Sequence, residues 1–140
     1  MSKQIGLTYQ KLVEYELLKR DFVISETLGD YSPYDLICDW QGKVNRIQIR
    51  STHNRPRTTK NRGYKLICCS WNKKEYLTKK DCDFIIAITG KKNDCYIIPI
   101  DNIKQRTILL HPDKEEYRRD YTQKNIYKWE EYLGMWDLLK

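Results

Sequence analysis

Two β-rich runs, 34–40 and 43–51, are separated by only Gln41-Gly42, and this gap constrains the chain more than any other feature. A two-residue gap with glycine second reads as a hairpin turn, and the turn fixes the register of the strands it joins. Trp40 then faces Lys43, every opposed pair has numbers summing to 83, and Asp35 falls opposite Gln48. Opposed residues share one face with Cβ atoms roughly 4.5 to 5.5 Å apart. By the two-residue alternation Arg46 and Arg50 join that face, while Ile47 and Ile49 point to the other side, into a core. One acid, one amide and two guanidiniums are thus expected to converge. Oxygen donors for a hard cation beside a fixed positive charge have the layout of a metal-dependent phosphodiester cleavage site. On residue types alone the same set also reads as an ordinary surface ion pair.

The segments around the hairpin indicate an α/β fold. Ile5, Tyr9, Leu12, Val13 and Leu17 recur at the spacing of an amphipathic helix over 5–20, with Gln10 at the edge of the apolar face. A short strand is expected at 22–24, followed by the turn cluster GDYSP. After the loop HNRPRTTKNRG come strands at 64–71, 84–88 and 96–100, the last two joined by a turn over 90–94. The aromatic segment from Asp113 onward is helical in tendency, with side chains suited to core or subunit contacts. These elements fit a single domain over 1–140 with a central mixed β-sheet flanked by helices.

Charge is distributed unevenly. Residues 43–80 hold twelve Lys and Arg against Glu75 alone, whereas the rest of the chain is net acidic. A local basic stretch is the footprint of a phosphate-backbone binder. Within and beside the loop, Arg55, Arg57, Lys60, Arg62, Lys73 and Lys74, together with Arg46, are the expected contacts to a nucleic-acid backbone. A solvated, lysine-rich loop is the competing reading. No apolar run approaches the ~20 residues of a membrane span, so a cytosolic location with no membrane partner is expected. The five cysteines lack zinc-type pairing and read as buried thiols.

The residues SPYDLI, followed by RIQIRS with Gln48 thirteen positions after Asp35, resemble the P-D…(D/E)-x-K signature of restriction-endonuclease-like nucleases. The chain is most similar to the branch of tetrameric homing endonucleases encoded by group I introns. GLTYQKLVEYELLKRDF resembles that branch's first helix, KKDCDFIIAI and CYIIPI its later strands, and YKWEEYLGMWDLL its aromatic C-terminal segment. The resemblance implies a restriction-endonuclease-like core and a site-specific double-stranded DNA endonuclease using Mg²⁺, with Mn²⁺ as a substitute, assembled as a homo-tetramer. It also implies that Asp35 is the central metal ligand and Gln48 a second one. Arg50 stands where a catalytic lysine is usual, and Gln10 where the first helix supplies a glutamate.

Two of these positions depart from the family pattern in a way chemistry can weigh. Arginine keeps its proton at any relevant pH, so Arg50 can stabilise phosphorane charge but cannot accept a proton from water. Gln10 contributes no charge, and the nearby acids Glu14 and Glu16 are less well placed on the helix. The alternative function is therefore a DNA-binding relative with weakened or absent cleavage. A further alternative, RNA binding through the eleven tyrosines and four tryptophans, suffers from placement, since only Tyr64, Trp71 and Tyr76 lie in the basic stretch.

Overall fold

The computed structural model describes residues 3–29, 31–53, 63–70, 75–113 and 124–140. The chain opens with helix α1 (Lys3–Lys19), whose Val13 and Leu17 are fully buried. The helix ends in a Schellman cap. Asp21 takes the left-handed conformation at φ 67°, its N–H donates to the Leu18 carbonyl at 3.0 Å, and the Phe22 N–H donates to the Leu17 carbonyl at 3.1 Å. Phe22 and Leu17 then pack in one apolar cluster, the contact that usually accompanies this cap.

Strands β1 (Val23–Glu26), β2 (Leu36–Trp40), β3 (Lys43–Thr52), β5 (Phe84–Thr89) and β6 (Asp94–Pro99) form one mixed sheet in the order β1-β2-β3-β5-β6. Gln41 and Gly42 both have positive φ, 50° and 92°, as a type I′ hairpin requires. The pairing runs from Trp40↔Lys43 to Leu36↔Ile47, the register expected from the two-residue turn. Strand β3 then continues to Thr52 while pairing in parallel with β5 from Ile47↔Phe84 to Thr52↔Thr89. Its outer half therefore has β5 on one side and has left β2 on the other. Strand β5 is apolar on both faces because both faces are covered.

One face of the sheet packs against α1 through Val13, Leu17, Leu36, Cys38, Ile47, Ile86 and Ile88. The other face is covered by a separate two-stranded ribbon, β4 (Tyr64–Ile67) with β7 (Thr107–Leu110), which the sequence reading did not separate from the main sheet. Strand β4 stops at Ile67, short of the expected 64–71, and β7 was not anticipated.

Among its described residues the C-terminal segment is not α-helical. It forms two 3-10 helices, Lys124–Tyr132 and Trp136–Leu139, interrupted where Leu133 bridges Tyr96 and the Gly134 N–H donates to the Cys95 carbonyl at 2.8 Å. Docking on the β6 edge requires extended backbone at this point, and Gly134 supplies the positive φ of 69° that follows. Trp129 and Trp136 are each only 6% exposed, in clusters on opposite faces of the sheet, so both belong to this protomer's core. Residues 114–123 of the aromatic segment lie outside the described residues. The five cysteines are all free thiols. No described helix is long and apolar enough to cross a membrane.

Candidate active site

Asp35 sits just before β2, where β2 and β3 part. Its N–H donates to the Ile47 carbonyl at 2.8 Å, and its Oδ2 accepts the Ile49 N–H at 2.7 Å. The two contacts bracket residue 48, so Asp35 lies across the strand fork from Gln48, with the carboxylate replacing the next rung of the ladder. Burial pushes the Asp35 carboxyl up from its ordinary range, and the Ile49 N–H and Arg50 charge offset this only in part. An ionised Asp35 is therefore under-compensated by its own protein.

Arg50 comes from the half of β3 that β2 no longer covers. One of its terminal nitrogens donates to the Cys69 carbonyl at 3.2 Å, and its buried Nε has no partner among the described residues. Gln48 is half-buried and makes no side-chain hydrogen bond among them. Asp35, Gln48 and Arg50 are thus gathered at one fork, with the electrostatic influence of Arg50 felt at Asp35.

Gln10 is half-buried on α1 and makes no hydrogen bond to these three. The acids near it are engaged elsewhere. Glu14 is buried beside Lys11 (3.1 Å) and Glu26, with burial and then the Glu26 carboxyl raising its pKa. Glu16 binds Arg20 and Lys19.

Arg46 does not converge on Asp35 as the alternation rule suggested. Its backbone N–H donates to Asp83 Oδ2 at 2.7 Å, its Nε to the same oxygen at 3.2 Å, and a terminal nitrogen to Oδ1 at 3.2 Å. The remaining guanidinium donors reach the carbonyls of Lys79 and Lys80. The guanidinium thus ties β3 to the loop before β5, with its charge matched by Asp83. Arg55, Arg57, Lys60, Arg62, Lys73 and Lys74 lie outside the described residues.

Asp35 and Gln48 carry oxygens of the kind a hard cation takes, although no group of three or more His, Cys, Asp or Glu that could hold a metal occurs among the described residues. Oδ1 of Asp35 and Oε1 of Gln48 are oxygen donors, and a cation would supply the compensation that the buried carboxylate lacks. Magnesium needs few protein ligands, because it keeps waters and takes phosphate oxygens.

Beside the fork lies a cleft of about 680 Å³, bounded by the start of α1, the outer half of β3, and β4. Of the four residues singled out for catalysis only Arg50 lines it. Tyr9, His53 and Lys65 also line it, and the sequence reading assigned none of them a role. Tyr9 and His53 belong to different elements whose packing no local pattern reveals.

A family model described as a PD-(D/E)XK endonuclease matches residues 1–132. Among solved structures the fold is similar to that of a bacterial homing endonuclease, I-Ssp6803I, with a TM-score of 0.79 and 22% identity over 99% of this chain and 93% of that one. No curated protein matches the chain.

Proposed function

Because the chain belongs to the PD-(D/E)XK endonuclease family, we propose that it is a site-specific, divalent-metal-dependent endonuclease of double-stranded DNA. The observation that carries this reading is the placement of Asp35 at the parting of β2 and β3, across from Gln48 and within the field of Arg50. Asp35 and Gln48 would hold Mg²⁺ or Mn²⁺. Such an ion, when bound, lowers the pKa of water and stabilises charge on a phosphoryl oxygen.

The protein's own residues do the rest. Asp35 is kept aimed by the Ile49 N–H, and its buried position strengthens its attraction for a cation relative to an exposed carboxylate. Arg50 places a permanent positive charge beside the fork and stabilises the additional negative charge that the phosphate acquires in the transition state. It does not remove a proton. The loop and its neighbours, Arg55, Arg57, Lys60, Arg62, Lys73 and Lys74, are assigned to DNA phosphates on their charge.

The homing type of recognition belongs to the same proposal, supported by the likeness of fold to a homing endonuclease, and a homo-tetrameric assembly is proposed with it on the resemblance of the sequence alone. A second reading, a DNA-binding relative with weakened cleavage, is favoured by two specific observations. Gln10 supplies neither charge nor a hydrogen bond to the fork, and Arg50 replaces a titratable amine.

Calorimetric titration with Mg²⁺ in the presence of duplex DNA tests the metal assignment. Binding that is lost in Asp35→Ala and weakened in Gln48→Ala is expected. Equal binding by the parent and Asp35→Ala would place the metal elsewhere.

A further inference from the structure

The cleft beside the fork has a lining that cleavage chemistry alone does not require. Arg50, His53 and Lys65 line it, and no carboxylate does among the described residues. The Tyr9 and His53 rings stack in its wall, with centroids 5.3 Å apart and planes 21° apart. His53 is exposed, yet it is held from three sides. Its Nε2–H donates to Asn93 Oδ1 at 2.9 Å, Tyr64 packs edge-on with centroids 6.4 Å apart, and the Tyr9 hydroxyl lies 3.4 Å from Nδ1. A rigid, exposed aromatic surface in a cationic cleft suits a flat, partly apolar anion, and nucleotides have that chemistry.

Gly6 is a second, independent observation. It occupies an early turn of α1 and lines the cleft, and a Cβ built there would meet nothing within 4 Å. Glycine weakens a helix relative to alanine. Neither a left-handed φ nor a packed neighbour within the protein requires it here. A glycine here leaves the helix backbone open to close approach from the cleft.

We propose that this cleft seats the DNA strand next to the phosphate at Arg50, with the sugar–phosphate backbone against Gly6, a phosphate on Lys65, and a nucleotide packed on the Tyr9–His53 pair. The inference rests on the nuclease reading and adds to it a binding subsite beyond the metal.

The test compares the parent with Gly6→Leu, Tyr9→Leu and Lys65→Gln by fluorescence anisotropy on a labelled DNA duplex, with a thermal melt for each. Gly6→Leu fills open space in a helix, so its Tm should hold or rise while DNA affinity falls about tenfold or more. Tyr9→Leu should weaken binding about five- to a hundredfold, the range of one lost stacking contact. Lys65→Gln should reduce the salt slope by about one unit. Parent binding with Gly6→Leu and Tyr9→Leu both unchanged would overturn the subsite and leave the nuclease reading standing. A parent that binds no duplex DNA, or binds single-stranded RNA more tightly, would overturn both.

Discussion

Replacing Arg46 with alanine distinguishes a structural clamp from a DNA contact. The substitution removes two side-chain hydrogen bonds to Asp83 and two to the carbonyls of Lys79 and Lys80, while the backbone N–H bond to Asp83 remains. Hydrogen bonds to charged groups contribute about 1.5 to 3 kcal/mol when buried. Here Arg46 is 30% exposed and Asp83 14%, so solvent screening reduces the total for the set to about 2 kcal/mol. For a chain of this size that corresponds to a Tm lower by about 6 to 8 °C.

Asp83→Ala should cost more, about 3 kcal/mol, because it also strands the Arg46 backbone N–H. The double variant should fall short of the sum by about 1 to 2 kcal/mol. Burial alone would raise the Asp83 pKa, but the Arg46 hydrogen bonds outweigh it and hold the carboxyl below its ordinary 3.8. The contribution is therefore complete above the unfolded value and is lost as pH falls through the folded one. Urea melts at pH 7 and in acid, with DNA binding measured across a salt series, give the readout. A stable Arg46→Ala protein with weaker DNA binding and a smaller salt slope would refute the clamp and return Arg46 to the DNA interface.

Three further outcomes follow from the site. With EDTA present, Asp35→Asn should raise Tm at neutral pH, because burial disfavours the ionised carboxyl; the gain should vanish as pH falls from the raised folded pKa toward the unfolded 3.8. On the reading of weakened cleavage, restoring the family residues with Gln10→Glu and Arg50→Lys should raise the cleavage rate by about a hundredfold with DNA affinity little changed, which a paired nicking and anisotropy assay would show. Multi-angle light scattering at micromolar concentration should find a particle four times the 17.0 kDa chain, and a monomer would remove the tetramer from the proposal.

The hairpin was legible because turn chemistry and strand alternation are both local: Gln41-Gly42 adopts the positive φ values its position demands, and the pairing follows from it. The same local rule failed at Arg46. It does not register Asp83, thirty-seven residues away, which captures the guanidinium. Strand β7 was missed for a related reason. Thr107–Leu110 is four residues long and finds β4 across the 39 residues of chain between them, a pairing that no periodicity reports. In the C-terminal segment, aromatic content suggested a helix and a subunit contact. The docking of Leu133 and Gly134 on β6 and the burial of Trp129 and Trp136 are tertiary facts. The proposal for Asp35 and Gln48 rests on register, which is local, whereas the Tyr9–His53 wall required the packing of α1 against β3.

Plasmid nicking by the parent and by Asp35→Ala, each with Mg²⁺ and with EDTA, tests the central claim most directly. A nuclease centred on Asp35 nicks DNA only as the parent and only with the metal. Nicking that persists in Asp35→Ala at the parent's rate would contradict the assignment of the site, and nicking that persists in EDTA would contradict its dependence on metal.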